Sequence, residues 1–312
     1  MVNIRECSLK DVDNVKIFIS KYIRENHILS ESDELFNWLY LSGSDINFII
    51  AEVNLNIVAI LGFIPNNKFD PKINDLISGS IWAISENAPP GIGVFLIKHL
   101  FKTYKPKIYL SLGISLDSEK ILSRLGHKTF ILNHFVYKSR VGLEYKSKLN
   151  LGIDRYSILK IKHNYLPHKS FDFFESKYIN NPFYDYKILN IEDTSFVVGR
   201  IIQLKYLKIF RIVDFYGAFF DNKKMKSIFN EYIRHNALDY IDFFNFGLDI
   251  DILKKSGFEK IVSSENYPHY TEPENGAIVD LKGAVKCDNQ AFSKLVINKS
   301  DSDQDRPNII KW

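Results

Sequence analysis

Between Ile77 and Tyr104 the chain reads ISGSIWAISENAPPGIGVFLIKHLFKTY, a β-type run that ends in a Pro-Pro-Gly-x-Gly turn and passes directly into an amphipathic helix. That order suits an anion. Gly91 and Gly93 remove side chains where the backbone must curl, and a helix starting near Val94 directs its first unpaired N–H groups into the curl. Bare amides at a helix N-terminus attract phosphate. Two better-known phosphate loops are excluded. No Lys-Ser/Thr pair follows Gly93, as a Walker A loop requires; Leu96 stands at the third glycine of the dinucleotide fingerprint, and no acidic residue closes the next strand near Leu112. A plain strand-to-helix turn is the other reading of the same residues.

The elements that must position this turn follow from periodicity and punctuation. Val2 to Cys7 reads as a short strand, after which Ser8 or Asp11 can cap a helix with Val12, Val15, Ile19, Tyr22 and Ile23 on one face. Asn47 to Ala51 and Ile57 to Phe63 are strands joined by the polar Asn54-Leu55-Asn56, so the long apolar stretch is a hairpin and not a membrane span. Beyond the glycine turn and its helix come a strand at Lys107 to Leu112, a helix over Asp117 to Leu125 closed by Gly126, and a strand from His127 to Tyr137. The same order returns later. Tyr109 and Tyr240, Leu122 and Leu253, Gly126 and Gly257 all stand 131 residues apart in similar surroundings. Solenoid units run about 20 to 50 residues, so this period indicates two copies of a domain.

The succession of strand, helices, hairpin, strand, Gly-rich turn, helix, strand, helix, strand resembles the GNAT superfamily of acyl-CoA-dependent N-acyltransferases. Its hallmark is a Gln/Arg-x-x-Gly-x-Gly/Ala turn that grips the CoA pyrophosphate. Here the turn reads Ala88-Pro89-Pro90-Gly91-Ile92-Gly93, with both glycines and without the polar leader. The resemblance implies an α/β fold of two tandem GNAT-like domains, each a mixed sheet flanked by helices, over 1–140 and 141–297, with a polar tail at 298–312. It implies acyl-CoA as cosubstrate, its pantetheine arm on the freed backbone of Ile81, Trp82, Ala83 and Ile84 and its pyrophosphate on Gly91, Ile92, Gly93 and Val94. In the second copy the strand Phe210 to Tyr216 runs into Gly217-Ala218-Phe219-Phe220, with one glycine and two bulky side chains, so CoA is expected only in the first.

Three further patterns are similar to one branch of the superfamily, the tandem N-acyltransferases of surface-polysaccharide (O-antigen) sugar pathways. They are Asn26-His27-Ile28-Leu29 with Leu35-Phe36-Asn37-Trp38, the stretch from Lys177 to Tyr186, and the tail from Ser302 to Asn308. That resemblance implies a dTDP- or UDP-linked deoxyamino sugar as acceptor, with Tyr178, Tyr184, Tyr186, Tyr270, Asp305 and Arg306 as substrate-binding candidates. For catalysis, His27 has the ordinary pKa of a base at neutral pH and lies in a loop between helices, where it can equally serve as a cap. Asp214, inside the apolar strand Ile212-Val213-Asp214-Phe215, is a ligand for the amine or a buried carboxylate that must have a partner; Asn245 in Phe243-Phe244-Asn245-Phe246 has the same two readings. Glu86 and His269 are further candidates for the base. Leu122 and Leu253 stand where many family members carry an acidic Tyr, and neither can donate a proton. An inactive pair of domains, or a transferase of aminoacyl groups to peptidoglycan precursors, are the alternatives.

Composition bounds the rest. With 46% apolar and 25% charged residues the chain is globular, and two domains of ordinary size fit into 312 residues. A net charge of +4 suits anionic small ligands and falls short of a nucleic-acid stripe. Only Cys7 and Cys287 occur, with no Cys-x-x-Cys or His cluster, so neither disulfides nor a metal site are expected. No export signal is read, and the expected location is the cytoplasm, as monomer or homodimer, without membrane or nucleic-acid partners.

Overall fold

The computed structural model describes residues 2–139, 151–152, 161, 163–191, 195–204, 206–217, 223–261, 267, 270–271, 274–275 and 280–307. The chain opens with β1 (Val2–Cys7), α1 (Val12–Tyr22), α2 (Ile28–Glu31) and α3 (Asp33–Tyr40), then β2 (Leu41–Ser42), β3 (Asp45–Val53) and β4 (Asn56–Pro65). Next come β5 (Leu76–Ile84), α4 (Ile92–Tyr104), β6 (Ile108–Leu112), α5 (Leu116–Arg124) and β7 (Lys128–Tyr137). After α6 (Phe171–Phe174) follow β8 (Lys187–Ile191), β9 (Ser195–Gln203), β10 (Lys208–Gly217), α7 (Lys223–Asn236), β11 (Tyr240–Phe246) and α8 (Ile250–Lys255). The last elements are β12 (Glu259–Lys260), β13 (Tyr270–Thr271), β14 (Glu274–Asn275), β15 (Leu281–Lys286), α9 (Asn289–Phe292) and β16 (Ile297–Asn298). No described helix is long and apolar enough to cross a membrane.

The fold is mixed α/β, with strands in mixed sheets flanked by helices, and it divides into two compact units. Unit 1 comprises 1–129, 283–287 and 302–312; unit 2 comprises 130–282 and 288–301. Neither is contiguous. In unit 1 the strands lie in the order β1-β3-β4-β5-β6-β15, antiparallel except for the parallel pair β5–β6. In unit 2 the order is β7-β11-β10-β9-β8, again with one parallel pair, β10–β11. The spans 1–140 and 141–297 expected from the sequence do not coincide with these units, because each sheet is finished by a strand from the other stretch of chain.

Local chemistry accounts for the elements near the glycine turn. The β3–β4 hairpin closes on Asn54 and Leu55, with φ of 51° and 65°, as a two-residue turn with both central residues left-handed requires. Helix α4 buries Ile92, Leu96, Ile97 and Leu100 against β3, β4 and β5 through Ile49, Leu61 and Ile77. In unit 2, Phe229, Tyr232 and Ile233 of α7 pack on Phe210, Ile212 and Phe243 in the same manner.

The repeat is visible at the ends of α5 and α8. His127 N–H donates to the Leu122 carbonyl and Phe258 N–H to the Leu253 carbonyl, both at 3.0 Å, each behind a glycine (Gly126, Gly257) with φ of 80° and 95°. Where unit 2 places Phe258 in its core, unit 1 places His127, stacked at 5.6 Å on Tyr109, with neither ring nitrogen hydrogen-bonded among the described residues. Burial, aided by the Lys286 ammonium, pushes His127 down to about 4. The unfolded ring titrates near its ordinary value of about 6.5, so between these values the unfolded chain binds more protons, and stability is lost as pH falls through that window. His127→Phe, which copies the other unit, should leave the neutral-pH Tm unchanged or higher and flatten its fall between about pH 6.5 and 4 in thermal denaturation. An unaltered slope would place the acid sensitivity on His27 or His163, each also held down to about 4 by burial.

Candidate functional site

In unit 1 the parallel pairing of β5 with β6 ends at Gly79 and Ser111, while β5 runs on to Ile84. An extra residue on β5, opposite the step from Leu61 to Phe63 on β4, turns the strand away at this point. From Ser80 onward, then, the side of β5 that faced β6 carries backbone groups with no ladder partner among the described residues. Helix α4 begins beside this opening. Gly91 is its N-cap, with φ of 80° that only glycine adopts without strain, and a Cβ there would meet nothing within 4 Å. Gly93 is needed for a different reason: its Cβ would stand 2.6 Å from Ile84 Cδ1 and 3.0 Å from the Trp82 indole.

Three donors at this corner have no acceptor among the described residues. Ile92 N–H is bonded to the Pro89 carbonyl and Val94 and Phe95 N–H to that of Gly91, but the amides of Gly91 and Gly93 are not. The buried Trp82 Nε1 also lacks one. A buried donor without an acceptor, as at Gly93 and the Trp82 indole, is costly, and with the exposed Gly91 amide beside them the corner suits an anionic or carbonyl-rich ligand. Trp82, Ala83, Ile84, Gly91, Ile92, Gly93 and Val94 are thus brought together at the strand opening and the helix start. The helix starts at Ile92, two residues earlier than the sequence suggested, because Gly91 caps it by backbone conformation alone.

On the opposite face of β5, Tyr40 of α3 bonds through its hydroxyl to Ser80 Oγ at 3.0 Å. Burial, and next the Asp303 carboxylate, push this phenol well above its usual range, so it stays protonated. The tail lies in the same unit as a buried turn. Gln304 Nε2 donates to the Leu112 carbonyl at 3.4 Å and fills the space over Gly113, where a Cβ would meet it at 2.7 Å. Arg306 Nε donates to Asp303 Oδ2 at 3.1 Å, and Asp303 and Asp305 are both buried. The sequence pattern takes in the whole tail from Ser302 to Asn308 and singles out Asp305 and Arg306 within it, but misses Tyr40 and Ser80; Gly113, directly after a strand, is the signal for the close approach of Gln304.

His27 caps α2: its Nδ1 accepts from Leu29 N–H at 3.2 Å. Burial, reinforced by Arg306 and Arg24, lowers its pKa to about 4, which keeps Nδ1 an acceptor at neutral pH. The ring is therefore engaged as a cap and not poised as a base.

The remaining candidates lie in unit 2. Asp214 is fully buried and has the partners its position demanded: Lys169 Nζ at 2.6 Å, the Tyr178 hydroxyl at 2.7 Å, Asn298 Nδ2 at 2.9 Å and the Phe215 N–H at 2.8 Å. Asn245 accepts from Leu248 N–H at 3.0 Å and donates to Asn298 Oδ1 at 2.9 Å. Asp214, Asn245 and Tyr178 are thus saturated by the protein, as buried polar groups must be, and are not presented to a substrate. Tyr184 lies under the Arg200 guanidinium at 3.8 Å and edge-on to Tyr186. Tyr270 has only its backbone described, in β13, and the turn after Gly217 lies outside the described residues. No group of three or more His, Cys, Asp or Glu among the described residues could hold a metal ion.

No protein-family model matches the sequence, and no curated protein matches it. Among solved structures, the chain is similar to a GCN5-related N-acetyltransferase from Kribbella flavida, at 7% identity and a TM-score of 0.61, covering 92% of this chain and 71% of that one. It is similar to another from Anabaena variabilis at 11% identity and a TM-score of 0.59, covering 92% and 72%. At these identities the likeness is one of fold.

Lys169 stands between two buried carboxylates, Asp214 and Asp301, so removing it leaves both uncompensated. Lys169→Met should therefore destabilise the protein by roughly 3–5 kcal/mol in urea denaturation. A loss below about 1 kcal/mol would show that these charges are solvated.

Proposed function

We propose that the chain is an acyl-CoA-dependent N-acyltransferase with its donor site at the β5 opening of unit 1, acting on the amino group of a dTDP- or UDP-linked deoxyamino sugar. The observation that carries the donor half is the freed edge of β5 beside a helix start where two amides and the Trp82 indole N–H have no acceptor among the described residues. A pyrophosphate suits the amides of Gly91 and Gly93, and amide groups of a pantetheine arm suit the β5 edge. A free N–H on that edge can stabilise the oxyanion of a thioester carbonyl under attack. The acceptor half rests on the sequence patterns around His27, at 177–186 and in the tail, and on the turn Ser302–Arg306 belonging to the same unit as the donor site.

The reaction requires little of the side chains. A neutral amine attacks the thioester carbonyl, the C–N bond forms, the C–S bond breaks, thiolate leaves and the ammonium proton passes to solvent. Holding the reactants together supplies roughly 7 to 11 kcal/mol of the barrier, against about a hundred- to ten-thousandfold in rate from a general base. With His27 engaged as a cap and Leu122 apolar, the enzyme works by positioning and by selecting the neutral fraction of the amine.

A thiol-release assay with acetyl-CoA against a panel of dTDP- and UDP-amino sugars tests the proposal. Release with one of them supports it; CoA binding without release on any sugar removes the acceptor assignment, and absence of CoA binding removes both. Gly91→Trp, whose side chain enters open space at a backbone cost of about 1–2 kcal/mol, should weaken CoA binding at least tenfold in calorimetry with the fold retained. Gly93→Trp should unfold the α4–β5 contact instead. His27→Asn, which keeps a capping side chain, should retain both kcat/KM and its rise with pH; loss of the rise would restore His27 as the base.

A further inference from the structure

Both units part their parallel strands at the same place. In unit 2 the β10–β11 pairing ends at Ile212 and Phe243, and β10 carries Val213 as an extra residue against β9, just as β5 gains one against β4 in unit 1. What fills the opening differs. In unit 2 the C-terminal segment enters it. Leu295 and Val296 pass over Gly247, where a Cβ would stand 2.0 Å from the Leu295 carbonyl oxygen, and Ile297 and Asn298 then add as β16 to the end of β11. On the other side, Ser300 Oγ donates to the carbonyl of Val213, the extra residue itself, at 2.7 Å, and Asn298 Nδ2 reaches Asp214. Asp301 Oδ2 accepts from Asn298 N–H at 2.7 Å, and Lys169 Nζ lies 2.8 Å from Asp301 Oδ1. The Tyr178 hydroxyl joins Ser300 Oγ to Asp214 at 2.7 Å from each.

We propose that residues 297–301 are the permanent occupant of the unit 2 opening, clasped by Lys169, Tyr178 and Asp214, so that this opening takes no acyl-CoA. The inference rests on the acyltransferase reading only in assigning acyl-CoA to the opening of unit 1. A run as polar as Asn-Lys-Ser-Asp is buried, none of it more than 4% exposed, because its groups pair with the strand edges that the parting leaves unpaired.

Hydrogen exchange of the full chain with and without coenzyme A, together with calorimetric stoichiometry, tests this. In the wild type the amides of 297–301 should exchange as slowly as those of β10 and β11. Coenzyme A should saturate at one per chain and leave exchange at 213–217 unchanged. In Asn298→Ala, Ser300→Ala, which keeps the ion pairs, exchange should accelerate at least tenfold at 297–301, with the Kd for coenzyme A within twofold of wild type. Fast exchange at 297–301 in the wild type, a second equivalent of coenzyme A, or unaltered exchange at 297–301 in the variant would overturn the proposal. If the double variant does not fold, the two wild-type measurements decide. Slow exchange at 297–301 with no binding of coenzyme A at all supports the occupancy and overturns the acyltransferase reading alone.

Discussion

A carboxylate without access to water, set where β10 parts from β11, is the constraint on which the arrangement of unit 2 depends. Asp214 cannot be buried alone, since an isolated ion in that medium costs several kcal/mol after relaxation. Lys169 supplies the opposite charge, Tyr178 a hydroxyl, the next peptide an N–H, and Asn298 an amide from the far end of the chain. Once Asn298 is committed, Asn245 follows, because each turns an amide group to the other. A charged residue inside an apolar strand thus determines the path of residues distant in sequence, which hydrophobic packing alone does not specify, because packing is largely indifferent to direction.

Unit 1 meets the same parting of strands with small residues in place of charge. Gly91 and Gly93 serve different ends within three residues, one by accepting a left-handed backbone and the other by letting α4 come down onto Trp82 and Ile84. The two openings are thus built on one backbone plan and differ in whether the polar groups at their edges find partners among the described residues. A tail that reads as an unstructured polar end becomes a buried turn, because Gln304, Asp303 and Arg306 bond to one another and to the end of β6.

Much of this was legible in the sequence, and the reasons for the remainder are physical. Strand and helix periods, the Asn54-Leu55 turn and the two helix-ending glycines report local backbone preferences, and local preferences are what a sequence carries most directly. The demand that Asp214 have a partner was also readable, since burial of a charge is implied by its apolar neighbours. The identity of that partner was not: Lys169 lies 45 residues away and Asn298 84 residues away, and nothing local marks them. Tyr178, Asp214 and Asn245 looked like substrate ligands because a buried polar network and a binding site share the same residue types. His27 reads in the sequence as either cap or base, because the bond from Leu29 N–H that engages its ring depends on how the chain enters α2. The unit boundaries were obscured because β7 directly follows α5 in the chain, while unit 2 holds all but its first two residues.

That exchange of strands has a consequence for the making of the molecule. The strand that completes the unit 1 sheet, residues 283–286, is synthesised 174 residues after Leu112, the end of the β6 strand it covers. At about 5–20 residues per second, the edge of β6 stays bare for on the order of ten to thirty seconds on the ribosome. An open apolar edge of this kind invites pairing with other chains. It also means that no single cut in the coding sequence releases an intact half, so a change that speeds translation or truncates the chain near residue 280 would expose in the nascent protein a surface that the finished one never shows.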